Sequence, residues 1–464
     1  MTSVSTILVL LAAVTAMAIA ARRAKLPYPA VMVIGGLLIA WVPKLPHLAL
    51  SPDVFFTLFL PPLLYAAAWQ TSWRDFKLNL RPILLLAIGF VVFTTVVVAA
   101  FAHWLVPGMP WAAALALGAI VSPPDAAAAS ATASLLRVPR RLITILEGES
   151  LVNDASGLTL YKLAVAAAVT GTFSWSNAIW TGASSVGLGV GLGLIIGWLI
   201  MRLHRLMNDP LQETVITLLS PFAAFIVAEH LHGSGVLAVV TMGLFISRHS
   251  HAIFAPTTRL QAYSVWNTTE FVFNGLVFVL IGLQLPIVVS HFQEGDLSRA
   301  TLLMWSGGLC VVVVLVRMAW VFPASYLPHL LARILGRRDP MPSWKIVFLV
   351  AYTGMRGATS LAAALALPLF IAGGAEFPRR NLIIFFSFVV ILATLVVQSL
   401  TLPPIIRALG IKPDRENQCE EWEARLRASE AALERVKQLE GECTGSDAVR
   451  KRTLRGLRNR YEAR

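Results

Sequence analysis

Two aspartates of this chain stand in apolar surroundings, where an ionised side chain is expensive. Asp125 follows a pair of prolines, and Asp154 lies inside a long apolar stretch. A charge at bilayer depth costs at least a few kcal/mol, so residues of this kind typically move ions or protons. Because desolvation disfavours a bare carboxylate, a proton and a cation can compete for the same oxygens, and such competition suffices for antiport.

Other oxygen donors accompany the two carboxylates. Ser150 and Asp154 are four residues apart and share a helix face, with Asn153 on the adjoining strip. A monovalent cation needs several oxygens to replace its water, and hydroxyls, carboxylates and carbonyls freed by a helix break supply them. We therefore predict an ion and proton site, shaped by Asn153, that consists of Asp154, Asp125, Ser150 and Ser122.

A further acidic residue of the same stretch, Glu149, calls for a basic partner. The basic residues within apolar spans are Lys162, Arg317 and Arg356. An unpaired buried charge is strongly destabilising, so Glu149 should form a structural ion pair with an arginine. We pair it with Arg356 first and keep Arg317 as the alternative. Lys162 lies about 12 Å beyond Asp154 along a helix, which is too far to neutralise it.

Two more polar groups have less specific interpretations. Glu270 and Asn274 are one helical turn apart, and either line a cytoplasmic funnel or serve helix packing. Glu229, His230 and His232 resemble a metal or pH site, but ordinary interfacial residues account for them better.

The elements that position these residues are predicted to be membrane helices. Of 464 residues, 57% are hydrophobic and 14% are charged, and the mean hydropathy is +0.71. Apolar stretches of about 17 to 27 residues recur throughout, which indicates an all-α polytopic membrane protein. We predict about thirteen transmembrane helices, near residues 4–20, 28–43, 52–69, 82–106, 111–136, 142–170, 177–201, 211–231, 233–247, 261–289, 300–330, 344–370 and 381–408.

Lysine and arginine collect in alternate loops between these spans. Every second loop is basic, with residues that include Arg22, Arg74, Arg137, Arg202, Arg248, Arg337 and Arg338. The intervening loops hold only Lys44, Arg299, Arg379 and Arg380. The positive-inside rule then places the N-terminus outside and the C-terminus in the cytoplasm.

The chain divides into a transmembrane domain at 1–410 and a charged, helical cytoplasmic tail at 411–464. The net charge of +13 is accounted for by loops and tail that face anionic membrane lipid, and no motif of a nucleic-acid-binding protein is present. The spacing of the three cysteines matches neither a disulfide framework nor a metal site. We expect no cofactor.

Two predicted spans are interrupted. The fifth contains Pro123 and Pro124, and the twelfth contains Gly354 and Gly357. Proline removes a backbone donor and glycine loosens the helix, and paired breaks at membrane depth point to a transporter site. Spans one to six and eight to thirteen would be inverted six-helix repeats, with the broken helices in corresponding positions.

Four segments of the chain resemble motifs of NhaP-like sodium/proton antiporters, relatives of the sodium/proton exchangers. They are residues 147–155, 60–65, 280–285 and 356–361, in the family's order. The resemblance covers about residues 4–408. It implies an NhaA-like antiporter fold with crossing broken helices, and a homodimer in the cell membrane. Core helices at about 82–170 and 300–408 would move, elevator-like, against dimerisation helices at about 4–69 and 177–289.

Carried over by residue, the resemblance implies that Asp154 binds cation and proton, that Ser150 and Asp125 complete the site, and that Glu149 and Arg356 form the family's stabilising pair. One departure concerns Asp125, because the family commonly places proline after this aspartate, and a threonine or valine before it. Here the prolines come first, so Ser122 would replace a missing hydroxyl. The order of Asn153 and Asp154 resembles the electroneutral branch, with one proton per cation.

The resulting hypothesis is a secondary transporter, not an enzyme, that exchanges Na⁺ for H⁺ and so serves pH homeostasis. A K⁺/H⁺ antiporter is the first alternative, and Li⁺ is a further candidate ion. A gated cation channel is a second alternative, although its pore should repeat charged rings or carbonyl filters. An intramembrane hydrolase with Asp125 and Asp154 as acid and base is the third.

Overall fold

Helices account for nearly all of the described chain. The computed structural model describes residues 3–41, 51–134, 138–207, 209–290, 298–334, 341–411, 415–442 and 448–462. Four basic loop residues named above lie outside these ranges, namely Lys44, Arg137, Arg337 and Arg338. Within them the backbone forms no strand, apart from an isolated bridge between Phe370 and Glu376.

The first half of the chain forms nine helices in the described ranges. They are α1 (Ser3–Ala24), α2 (Tyr28–Ala40), α3 (Pro52–Gln70), α4 (Trp73–Leu78), α5 (Leu80–Leu105), α6 (Trp111–Val121), α7 (Ala126–Ser134), α8 (Arg140–Thr170) and α9 (Trp175–His204). Single π-helical turns interrupt α3 at Phe55–Phe59 and α5 at Leu85–Phe90.

The helices continue in the same way through the second half. They are α10 (Pro210–His230), α11 (Gly235–Ile253), α12 (Pro256–Leu283), α13 (Leu285–Ser290), α14 (Arg299–Ile334), α15 (Trp344–Tyr352), α16 (Ala358–Leu365), α17 (Arg380–Leu409), α18 (Arg415–Glu442) and α19 (Ala448–Glu462). A π-helical turn at Thr394–Gln398 lies within α17.

Short polar residues set where several helices begin, and glycine sets where one ends. The Asp209 carboxylate accepts a hydrogen bond from the Leu211 N–H at the start of α10. Ser234 accepts one from the Leu237 N–H at the start of α11. Both satisfy donors that the first helical turn leaves free. Gly410 ends α17 in the left-handed conformation, which glycine adopts without a Cβ clash.

Seven helices of the described ranges are long and apolar enough to cross a membrane, namely α3, α5, α9, α10, α12, α14 and α17. Two further apolar helices, α2 and α6, are shorter. The two interrupted spans of the sequence prediction are pairs of short helices, α6 with α7 and α15 with α16. The total of about thirteen spans stays a prediction.

Most of the helices from α1 to α17 pack into two groups. In the first, α5, α6, α14, α16 and α17 contact one another, and in the second α1, α2, α3 and α9 to α12 do. The close approach of α9 to α11 depends on small residues, because a Cβ on Gly189 would overlap the Ser234 carbonyl and one on Gly193 the Ala238 carbonyl. In lipid the hydrophobic effect does not drive helices together, so close packing of this kind holds them in contact.

A separate compact unit contains residues 138–140 and the C-terminal segment from 412. Within it, α18 and α19 pack on each other. Arg458 and Glu440 form an ion pair between the two helices, with 3.6 Å between nitrogen and oxygen.

Candidate functional site

The two helix breaks lie against each other. The first, residues 122–125, separates α6 from α7, and the second, residues 353–357, separates α15 from α16. Two consecutive prolines in the first break supply no N–H, so the regular helical ladder cannot continue through them. The Asp125 N–H instead donates to the Met355 carbonyl at 2.7 Å. Each interrupted backbone thus satisfies a polar group of the other.

Asp125 stands at the point where the second half of its span begins. Its Oδ1 accepts a hydrogen bond from the Ala127 N–H at 2.8 Å, so the carboxylate caps α7. The positive end of the helix dipole favours a negative group here. A Cβ on Gly357, the residue before α16, would overlap the Asp125 carboxylate. Glycine therefore leaves the space that the carboxylate occupies.

Asp154 lies in the middle of α8 and is 7% exposed. Its carboxylate lines a cavity of about 310 Å³ together with Asp125, Ser150 and Thr359. The Thr359 hydroxyl, from α16, donates to Asp154 Oδ1 at 3.4 Å. The structure therefore brings together three of the four residues predicted as ion and proton ligands, and adds a hydroxyl from the second break.

Ser122 lies within the first break and Asn153 lies beside it, and both are fully buried. Asn153 Nδ2 donates to the Pro124 carbonyl at 2.7 Å, so this amide bonds to the interrupted backbone. The Ser122 hydroxyl donates to the Ala119 carbonyl at 3.1 Å, one turn earlier in its own helix, and Ser122 does not line the cavity. The structure therefore does not place Ser122 with the other three predicted ligands, and its role as an ion ligand stays a prediction.

Glu149 pairs with Arg317, and the pairing with Arg356 that we placed first is wrong. Two nearly parallel hydrogen bonds join the groups, Nη1 to Oε1 at 2.6 Å and Nη2 to Oε2 at 2.9 Å, and each side chain is 1% exposed. Arg317 Nε donates to the Val350 carbonyl at 3.2 Å, and the guanidinium lies over the Phe90 ring. The pair links α8 to α14.

Arg356 instead ties the two breaks together. Its Nε donates to the Val121 carbonyl at 2.9 Å, and its Nη1 donates to the Gly354 carbonyl. Its backbone N–H donates to the hydroxyl of Thr394, where the π-helical turn of α17 starts, at 3.1 Å. Carbonyls at interrupted helix ends lack intrahelical donors, and a buried guanidinium carries five. The Arg356 guanidinium therefore bonds to the carbonyls of the two breaks, whereas Glu149 pairs with Arg317.

The predicted funnel residues, Glu270 and Asn274 of α12, line the same cavity as the aspartates. A Glu270 oxygen accepts a hydrogen bond from Gln70 Nε2 at 3.2 Å, and Gln70 lines the cavity too. The cavity wall is therefore built by helices of both packing groups.

Lys162 and Glu229 pair at some distance from this cavity. Lys162 Nζ lies 2.9 Å from Glu229 Oε2, and the side chains are 59% and 38% exposed. Glu229 Oε1 also accepts a hydrogen bond from the Gly235 N–H at 3.2 Å. Across the described ranges, no group of three or more histidine, cysteine, aspartate or glutamate side chains is arranged to hold a metal ion.

The family model for the transmembrane domain of the sodium/hydrogen exchangers matches residues 8–408. The chain belongs to the sodium/hydrogen exchanger family. Membership confirms the resemblance inferred from the four motifs. It also makes the chain a multi-pass membrane protein, since this is a family of secondary transporters for monovalent cations and protons.

Several named exchangers and antiporters are similar in sequence. An uncharacterised Na⁺/H⁺ exchanger of Mycobacterium tuberculosis is 37% identical over 432 residues, which cover 92% of this chain and 78% of that protein. The sodium, potassium, lithium and rubidium/H⁺ antiporter of Bacillus subtilis is 38% identical over 394 residues, or 82% of this chain and 57% of that protein. The Na⁺/H⁺ antiporter ApNhaP of Aphanothece halophytica is 34% identical over 89% of this chain and 75% of that protein.

The fold is also that of a solved exchanger-family structure. The sodium proton antiporter MjNhaP1 of Methanocaldococcus jannaschii superposes with a TM-score of 0.68 at 18% identity, over 89% of this chain and 99% of that one. The predicted all-helical antiporter fold is thereby confirmed.

In this exchanger-family chain, sequence reasoning missed four polar residues that line the cavity: Gln70, Ser130, Glu147 and Thr359. A signal existed for Glu147, because positions 147, 150 and 154 follow the three-and-four spacing of one helix face. Thr359 belongs to a motif segment, but nothing in its spacing relates it to Asp154. Its contact depends on how α16 meets α8.

Proposed function

We propose that the protein is a cell-membrane antiporter that exchanges an internal monovalent cation, Na⁺ first, for external H⁺. The single observation that carries this proposal is that Asp125 and Asp154 line one cavity where two broken helices meet. Carboxylates and hydroxyls in a confined, partly desolvated space can hold a dehydrated cation.

Competition at Asp154 supplies the coupling in this proposal. A carboxylate that binds a proton presents no negative charge to a cation, and the positive charge of a bound cation in turn disfavours protonation of the carboxylate. Because Asp154 is buried in α8 and faces the cavity, its occupancy alternates between the two. A conformational change that exposes the cavity to one side at a time then gives exchange and prevents leak.

The other polar groups around Asp154 complete the site, shape it or stabilise the helices that carry it. Asp125 and Ser150 complete the ion site with Asp154, and Asn153 shapes it through the Pro124 carbonyl. The Glu149 ion pair with Arg317 holds α8 against α14 and contributes stability. Glu270 and Asn274 line the entrance, on the cytoplasmic side if the N-terminus is outside.

The conformational change and the dimer would each use one of the two packing groups of helices. The first packing group, with α8, would move as a core against the second, and two copies would associate through the second group. Exchange would be electroneutral, with one proton per cation and one titrating carboxylate at the centre. The alternative cation is K⁺, favoured by the printed name of the Bacillus subtilis relative, which includes potassium.

The test is exchange by purified protein in proteoliposomes, with Na⁺, K⁺ and Li⁺ offered separately and internal pH followed by a dye. We expect cation-driven proton movement in the wild type and none in Asp154→Asn, because an amide cannot exchange a proton. Ser156→Ala is the matched control, since the Ser156 hydroxyl donates to the Val152 carbonyl of the same helix and Ser156 does not line the cavity.

Full exchange by Asp154→Asn would refute the proposed mechanism. Cation current without proton movement would favour a channel. A membrane potential that drives net exchange would contradict electroneutral coupling.

A further inference from the structure

Thr359 brings an oxygen to the cavity from a different helix than the other hydroxyl ligand. Ser150 belongs to α8, as Asp154 does, whereas Thr359 is the second residue of α16. The Thr359 Oγ1 lies 3.4 Å from Asp154 Oδ1, and all three residues line the cavity. A cation beside Asp154 would therefore meet oxygens from α8 and from the start of α16, just after the second break.

We propose that Thr359 is a ligand of the transported cation and sets the preference for small over large cations. This inference rests on the proposed antiport function. Two oxygens 3.4 Å apart can both bind one cation at about 2.3–2.6 Å, the range for Ca²⁺, and then subtend roughly 90° at the ion. That is the angle between neighbouring ligands of an octahedral shell.

The hydroxyl can serve both states of the site. Without a cation its proton points at the Asp154 carboxylate, the hydrogen bond that the structure has. A hydroxyl also carries two acceptor lone pairs, and its hydrogen rotates freely. When a cation binds at Asp154, rotation of the O–H bond turns a lone pair toward the ion, without movement of the backbone.

The position of this oxygen is held by its surroundings. Ala358 and Ser360, its neighbours in the chain, are almost fully buried. Threonine is branched at Cβ and has few rotamers in a helix, which limits the positions that its hydroxyl oxygen can take. A ligand held in place favours one ion size over another more than a mobile one does.

A nearby threonine provides the matched control. The Thr353 hydroxyl donates to carbonyls of its own helix, Leu349 at 3.0 Å and Val350 at 3.2 Å, and Thr353 does not line the cavity. It stands at the other end of the same break and is buried. Thr353→Val thus makes the same chemical change without removing an oxygen from the site.

The experiment measures KM and Vmax for Na⁺, Li⁺ and K⁺ in proteoliposomes for the wild type and four variants: Thr359→Val, Thr359→Ala, Thr359→Ser and Thr353→Val. Loss of one neutral oxygen ligand should raise the KM for Na⁺ about fivefold in the first two, which corresponds to about 1 kcal/mol. The increase should be larger for Li⁺ and smaller for K⁺, because small cations lose more from each missing ligand. Thr359→Ser should restore the wild-type KM values, and Thr353→Val should keep them.

Two results would overturn the inference. One is an unchanged KM and ion order in Thr359→Val and Thr359→Ala, and the other is an equal loss of Vmax for all ions with unchanged KM. Thermal stabilisation of the purified protein by each cation is a second readout that does not require transport. Absence of exchange in the wild type would refute the proposed function itself, and so is distinguishable from failure of the Thr359 assignment.

Discussion

The ion pair between Glu149 and Arg317 offers the sharpest test of the structure. The bonds of 2.6 and 2.9 Å join two side chains that are each 1% exposed. In Glu149→Gln the guanidinium would stay buried with its charge uncompensated. Removal of one partner of such a pair typically destabilises a protein by about 3–5 kcal/mol.

A double-mutant cycle distinguishes the two candidate partners. We combine Glu149→Gln with Arg317→Met and, separately, with Arg356→Met, and measure the free energy of unfolding in mixed micelles. The coupling energy should be about 2–3 kcal/mol for the pair with Arg317 and below about 1 kcal/mol for Arg356. Arg356→Met should still destabilise the protein, because the Val121 and Gly354 carbonyls lose their donor.

A coupling between Glu149 and Arg356 equal to or larger than that with Arg317 would refute this account. So would a Glu149→Gln protein with wild-type stability that no longer binds cations, because the carboxylate would then be an ion ligand. The control is the single variant Arg317→Lys, which keeps the positive charge but not the two parallel hydrogen bonds. This variant should lose less stability than Arg317→Met.

Two further predictions follow from contacts near and away from the cavity. Gly357→Ala should abolish exchange while the protein still inserts in the membrane, because the added Cβ would displace the Asp125 carboxylate. The control is Gly307→Ala, which should be neutral because nothing lies within 4 Å of its added Cβ. Transport assays on membranes with matched protein content check both. Lys162→Met should change stability by only roughly 0–1 kcal/mol, measured as above, because its ion pair with Glu229 is largely exposed. A loss of several kcal/mol would show that this pair is shielded from water.

Local sequence signals predict three of the residues that line the cavity, namely Asp125, Ser150 and Asp154. Helical spacing relates Ser150 to Asp154, and the two prolines mark the helix break at Asp125. The helix breaks were likewise expected from Pro123 and from Gly357. These are properties of neighbouring residues, so no knowledge of packing is needed to find them.

The partner of Glu149 was beyond such reasoning. Arg317 lies 168 residues away along the chain, and Arg356 had the same charge, a similar apolar setting and a family motif in its favour. The choice depends on which guanidinium the packed helices bring to α8. It also depends on the carbonyl groups at the two helix breaks, because these accept hydrogen bonds from the Arg356 guanidinium.

The sequence alone therefore determined the membrane class, the helical segments, the two breaks and the identity of the buried carboxylates, because hydropathy, period and backbone chemistry act over short distances. Tertiary structure decided which oxygens face the cavity and which charges pair. Ser122 turns to its own helix, whereas Thr359 reaches Asp154 across 205 residues of chain. Contacts of that range are set by helix packing, which the types of the residues do not specify.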